Sequence, residues 1–198
     1  MSVKEIVFAT TNLAKIEEIE RVLTTFGFKV TPVLLEIDEP YGKGLAAIAK
    51  AKALNGYQQT GKPSAAIDTG FFINALDGYP GDHVGDAIKK GLDWILESVK
   101  GKDRSCSYKN CLAYMDSSLK EPIIFESSLE GFLSETPKGP ESTNDLWCTL
   151  HRIFIPIGKQ KTLAEIAQSD SDFKSWREER YPHSTSYKFG SWLSSHLS

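Results

Sequence analysis

The sequence predicts a mixed α/β fold, with an elongated central sheet, helices on both faces and two lobes flanking a ligand cleft. Three observations carry that expectation. The chain opens on an apolar run, Ile6-Val7-Phe8, then a polar turn, then apolar residues at helical spacing, Ile16, Ile19, Val22, Leu23 and Phe26. A short buried run, Ser64-Ala65-Ala66-Ile67-Asp68, ends on an acid. The second half carries two long runs, Tyr108 to Met115 and Ile123 to Leu133, that read as an antiparallel strand pair.

In order along the chain, the first strand is expected at Lys4 to Ala9, and the helix after it runs to about Phe26. Phe28 to Val33 is the second strand, and Glu36 to Gly44 a polar loop. Leu45 to Tyr57 is rich in alanine, the strongest helix former. Gly61-Lys62-Pro63 turns the chain into the Ser64–Asp68 strand, and Phe71-Phe72-Ile73-Asn74 is read as another. Gly78-Tyr79-Pro80-Gly81 is a strong turn signal. Ile88, Leu92, Ile95, Leu96 and Val99 fall on one face of a single helix. After the long strand pair, Thr136-Pro137-Lys138-Gly139-Pro140 breaks the chain, and Leu150 to Ile157 is expected as a strand. Thr162-Leu163-Ala164-Glu165 has capping-box spacing and starts a helix. Ser186 to Leu197 is expected to be helical despite Gly190. With no repeat or low-complexity tract, residues 1–198 are expected to form a single domain.

The 198 residues are 40% hydrophobic, enough for a sizeable core, and the net charge of −3 disfavours a general nucleic-acid or membrane-surface binder. Three cysteines, Cys106, Cys111 and Cys148, form no CxxC and leave an odd one over, which fits a reducing cytoplasm. Neither a signal peptide nor a membrane span is expected. His83, His151, His183 and His196 have no ligand spacing with the cysteines, so a zinc site is not expected.

Two segments point to anion chemistry. Thr10-Thr11-Asn12-Leu13-Ala14-Lys15 lies where a strand hands over to a helix, and the unpaired N–H groups and positive dipole end of a helix start attract phosphates. Thr10, Thr11 and Asn12 add side-chain hydrogen bonds, and Lys15 a charge. The turn has no glycines and is not a P-loop; an ordinary capped helix start is the bland reading. Asp68 ends an apolar strand before Thr69-Gly70, at the strand edge where α/β sheets bind ligands. A second acid from the loop holding Asp38 and Glu39 would let the pair hold one Mg²⁺, with waters and substrate phosphates completing its octahedron. Lys52 on the alanine-rich helix reaches toward the same phosphates. The bland alternative is an Asp68 turn cap and solvated loop acids.

These segments resemble the inosine/xanthosine triphosphate pyrophosphatase family, the house-cleaning nucleotide hydrolases. That family opens with Ala-Thr-x-Asn-x-x-Lys and a helical Glu, matched by Thr10, Asn12, Lys15 and Glu18. Its Lys-Ala, acid-Asp-Ser/Thr, Ala-Leu-x-Gly and Pro-Gly segments are matched by Lys52-Ala53, Ile67-Asp68-Thr69-Gly70 and Ala75-Leu76-Asp77-Gly78-Tyr79-Pro80-Gly81. Pro137-Lys138-Gly139, Ile153 to Gly158 and Thr162-Leu163-Ala164-Glu165 continue the match in order. The resemblance implies a nucleotide cleft and attack of water at the α-phosphorus, giving a nucleoside monophosphate and pyrophosphate. It also implies that Thr10 to Lys15 line the triphosphate, that Lys52 pairs with a phosphate, and that Thr69 and Gly70 touch substrate. Asp68 becomes the metal-binding, water-activating acid, with Lys15 beside it in the catalytic set and Glu39 as the second ligand to Mg²⁺. A homodimer is the implied assembly.

Several family positions differ. Ile67 stands where the family has the first acid of a pair; strand alternation sends it to the core and leaves Asp68 in the site. The family's Phe-Gly-Tyr/Trp-Asp-Pro base-recognition strand is replaced by Cys148-Thr149-Leu150-His151-Arg152, with Trp147 as the candidate stacking surface and His151 as a candidate base contact. The late Ser-His-Arg becomes Ser186-Tyr187-Lys188, so Lys188 is the candidate there. The basic residue after Pro-Gly is Gly85, with Lys89 or Lys90 as substitutes from the next turn. A pocket with swapped polar partners loses selectivity, so the base preference is open. The alternatives are a nucleotide-binding paralogue without turnover, acting as a sensor, and an interaction module with an empty cleft.

Overall fold

The computed structural model describes residues 4–10, 12–34, 40, 42–141 and 146–196, the side chains of 146–148 apart. Ile6 to Ala9 of β1 (Lys4–Ala9) are all buried, as a central strand covered on both faces must be. β1 pairs in parallel with β2 (Phe28–Val33) on one side and β3 (Ser64–Ile73) on the other. Parallel neighbours need long crossovers. These are α1 (Leu13–Thr25), started by the Asn12 cap, and α2 (Leu45–Thr60). β4 (Pro80–Gly81) pairs antiparallel with the far end of β3. β5 (Ser105–Met115), β6 (Ile123–Leu133) and β7 (Phe154–Pro156) complete a mixed seven-stranded sheet ordered β2-β1-β3-β5-β6-β7.

The chain divides into two compact units, residues 1–69, 110–127 and 181–198 in the first and 70–109 and 128–180 in the second. In the first, Ile6, Phe8 and Ile67 share a core with Ile19 and Leu23 of α1 and with Phe189 of the last helix, α8 (Thr185–His196). α2 packs on the opposite face, so this unit has helices on both sides of its strands. In the second, Phe71, Tyr108 and Phe154 form an aromatic centre with ring centroids 4.7–6.1 Å apart, a spacing at which edge-to-face packing adds to burial.

The mixed α/β class and the opening elements are as predicted, and four local expectations need correction. Phe71 to Asn74 is not a separate strand, and Asp68 does not end the one before it, because β3 runs unbroken from Ser64 to Ile73. The single helix through Ile88 and Val99 is two, α3 (Val84–Lys90) and α4 (Leu92–Ser98), split where Gly91 takes φ +92°, which only glycine adopts without strain. The strand expected from Leu150 is instead the end of α5 (Leu146–His151), with β7 starting only at Phe154. Apolar runs of this length do not by themselves separate buried helix from strand. The capping box does form: Thr162 N–H donates to Glu165 Oε2 at 2.9 Å and Glu165 N–H to Thr162 Oγ1 at 3.3 Å, opening the one-turn α6 (Leu163–Ile166). α7 (Asp170–Arg180) follows; it has no fully buried residue, and only Phe173 and Trp176 pack, half-buried, against the core. No helix among the described residues is long and apolar enough to cross a membrane.

The end of α8 is tied to the turn after β5 through Asp116. Its Oδ1 accepts from Ser118 N–H at 2.8 Å and Ser118 Oγ at 2.7 Å, and its Oδ2 from Tyr114 Oη at 2.8 Å, with His196 Nε2 at 3.1 Å. Burial opposes the charge, but the Ser118, Tyr114 and His196 bonds together hold this carboxyl below the usual range. A lowered folded-state pKa gives stability that is fully present above the unfolded value, about 3.9, and lost as pH falls through the folded one. Asp116→Ala is therefore expected to lose about 1–3 kcal/mol at pH 7. Urea midpoints at pH 7 and pH 3 check this, and the gap to the unaltered protein should narrow at the lower pH.

Candidate active site

The turn between β1 and α1 is organised by its own side chains. Thr10 N–H donates to Val33 O at 3.3 Å, Thr10 Oγ1 accepts from Asn12 N–H at 3.1 Å, and Asn12 Oδ1 caps α1 by accepting from Lys15 N–H at 3.2 Å. The capping reading and the anion-site reading are thus compatible. With both side-chain oxygens already accepting, Thr10 and Asn12 have their hydroxyl and amide hydrogens to offer, the polarity an anion needs. Thr11 lies outside the described residues.

β3 carries the centre of the site. Its alternation places Ile67 in the core, 8% exposed, and turns Asp68 to the other face, as the sequence implied for the position of the missing acid. Lys15, from α1 on the Ile67 side, donates its ammonium to Ile67 O at 3.4 Å. Lys52, from α2 on the other side, donates to Asp68 Oδ1 at 3.2 Å, in a pair whose side chains are only 16% and 12% exposed. Midway along β3, Lys15 thus meets the backbone at Ile67 and Lys52 meets the Asp68 carboxylate on the opposite face. The Asp68 charge is felt at Cys111 on β5: burial chiefly, then Glu126 and Asp68, push its thiol up to about 12, which rules it out as a thiolate nucleophile at neutral pH.

The remaining expected residues are more dispersed in role. Thr69 donates its hydroxyl to Asn110 Oδ1 at 2.8 Å. Gly70 meets a packing demand: a Cβ there would stand 2.6 Å from Gly81 O and 2.7 Å from the Phe72 ring. His151 sits on α5 instead of the expected base-facing strand, its ring edge-on to Tyr108 at 5.9 Å. Lys188, on the first turn of α8, donates to Glu126 O at 2.7 Å, while the neighbouring Ser186 donates to Glu18 at 3.2 Å. Lys89 pairs with Asp86 at 3.1 Å and Lys90 lies 4.2 Å from the Trp94 ring centre, so both cations are engaged beside their own helices. Glu39, its neighbour Asp38 and the side chain of Trp147 lie outside the described residues. Asn110 is not marked by any sequence motif; the available signal is a polar residue, after Lys109, directly before the apolar run Cys111-Leu112-Ala113.

The sequence profile of the Ham1 family matches residues 6–179. The chain belongs to the Ham1 family. It is 32% identical to the dITP/XTP pyrophosphatase of Hyperthermus butylicus over 176 residues, 87% of this chain and 88% of that one. The dITP/XTP pyrophosphatase of Methanopyrus kandleri is 31% identical over 166 residues, 82% of this chain and 84% of its own. Among solved structures, a HAM1 protein from Coxiella burnetii superposes with a TM-score of 0.75 at 26% identity, covering 98% of both chains. The family resemblance read from the opening turn, the Asp68 strand and Pro80-Gly81 is thereby borne out, and with it the fold.

Removing one member of a largely buried pair strands the other. Lys52→Met is expected to lower stability by about 1–3 kcal/mol. Adding Asp68→Asn to that variant should recover part of the loss, since the unpaired charge is then gone; a double-mutant cycle on urea midpoints measures the coupling.

Proposed function

We propose that this chain hydrolyses nucleoside triphosphates to nucleoside monophosphates and pyrophosphate, with deaminated purines, as in dITP and XTP, as its preferred bases. The base class rests on its relatives, which are dITP/XTP pyrophosphatases. The observation that carries the chemistry is the middle of β3, where Lys15 donates to the Ile67 carbonyl and Lys52, from the helix on the other face, to the Asp68 carboxylate.

Two ammonium groups flanking one strand can grip different phosphates of a single polyphosphate, and such clamping supplies orientation as well as charge compensation. Thr10 and Asn12 direct their remaining hydrogens at the phosphate oxygens, next to the start of α1. Lys52 fixes the orientation of the Asp68 carboxylate through Oδ1, so that Asp68 receives a hydrogen bond from the attacking water in a set direction.

The donor set also fits Mg²⁺. That ion is usually held by one or two carboxylates with waters and substrate phosphates, not by a complete protein cage. The described residues contain no group of three potential ligands, and Asp68 supplies one hard carboxylate. We assign Asp68 and Glu39 as the residues that hold it. When bound, the ion neutralises phosphate charge and acidifies water. The proposal includes a homodimer, by family resemblance, and a cytoplasmic setting, which the buried free thiols Cys106 and Cys111 suit.

Pyrophosphate release across a panel of nucleoside triphosphates, with Mg²⁺ present, tests the reading. Deoxyinosine and xanthosine triphosphates are expected to be hydrolysed with kcat/KM at least about tenfold above ATP and GTP. Asp68→Asn is expected to lower kcat at least about 100-fold. Orthophosphate as the product, or an Asp68→Asn variant as active as the unaltered protein, would contradict it.

A further inference from the structure

We infer that Asn110 is a positioning residue for the polyphosphate end of the site, acting through Thr69. The inference rests on the proposed polyphosphate chemistry and assigns a residue that the sequence motifs did not include. Asn110 lies on β5, the strand next to β3, and its Oδ1 accepts the Thr69 hydroxyl hydrogen at 2.8 Å. Both side chains are half-buried. Thr69 immediately follows Asp68, and strand alternation places its side chain on the face of Ile67, the side from which Lys15 approaches.

The direction of this bond sets what Thr69 can do. A hydroxyl has one hydrogen and two lone pairs. With the hydrogen committed to Asn110, Thr69 Oγ1 presents lone pairs to its surroundings. A lone pair repels a phosphate oxygen and attracts an ammonium group. Thr69 therefore does not donate to the polyphosphate; it offers an acceptor on the face served by Lys15, one step beyond the Ile67 carbonyl that already receives that ammonium. Asn110 keeps the acceptor in place. Without it the hydroxyl rotates, and Lys15 loses a fixed neighbour while the phosphate gains a mobile one.

A pair of variants of matched shape tests this. Asn110→Thr and Asn110→Val are both β-branched and suited to a strand, and they differ by one hydroxyl that can accept from Thr69. Binding of inorganic tripolyphosphate by calorimetry and steady-state kinetics with deoxyinosine triphosphate are the readouts. Asn110→Thr should keep tripolyphosphate affinity and KM within about threefold of the unaltered protein. Asn110→Val should weaken both by about fivefold to tenfold, the size of one lost hydrogen bond, with kcat within about twofold. In a Thr69→Ala background the Asn110→Val change should have no further effect. Equal behaviour of the two Asn110 variants, or an undiminished effect of Asn110→Val without the Thr69 hydroxyl, would overturn the inference. Should the unaltered protein bind tripolyphosphate and release no pyrophosphate, the proposed function fails while the binding comparison still decides the role of Asn110.

Discussion

The two-fold alternation of β3 is the constraint from which the rest of the site follows. Neighbouring residues on a strand must face opposite ways, so a strand buried between helix layers delivers Ile67 to one side and Asp68 to the other. The helices that cover those sides each contribute one lysine to adjacent residues of that strand, Lys15 from α1 and Lys52 from α2. Both helices are crossover connections that the parallel β1–β2 and β1–β3 pairings require. The approach of two cations to adjacent residues of one strand is thus a product of sheet topology.

This arrangement explains how the chain departs from its family at Ile67 without dismantling the site. An acid at that position would face the aliphatic and aromatic core made by Ile6, Phe8, Leu112 and Tyr114. Isoleucine contributes packing there instead, about 1.5–3 kcal/mol for a fully buried side chain. The carboxylate that matters stays on the other face, held by Lys52. Thr69 returns to the first face, where its bond to Asn110 joins β3 to β5.

Much of this was legible in the sequence because the deciding signals are local. Asn12 before Leu13 announces a capped helix, and its side chain does cap α1. The apolar run into Asp68 announces a buried strand, and β3 is one, but it continues past Asp68 to Ile73, so the acid lies mid-strand. Tertiary pairings were less legible. The Lys52–Asp68 contact spans helix and strand, and no spacing rule specifies it; the sequence pointed both residues at the same phosphates but not at each other. Asn110 was invisible for the same reason, since its role depends on which strand lies next to β3. Leu150 and His151 show the opposite failure: the run into Ile153 and Phe154 has the composition of a strand, yet its first part folds as the end of α5. α7 is hard to read because only Phe173 and Trp176 of Asp170 to Arg180 pack, half-buried, against the core, too few apolar positions for a clear helical period.

A crystal structure of the Asp68→Asn protein with a non-hydrolysable deoxyinosine triphosphate analogue tests the central claim most directly. Phosphate oxygens of one nucleotide should lie within hydrogen-bond distance of both Lys15 Nζ and Lys52 Nζ, with the Thr10–Lys15 turn beside them. A nucleotide bound with its phosphates away from either lysine would contradict the account.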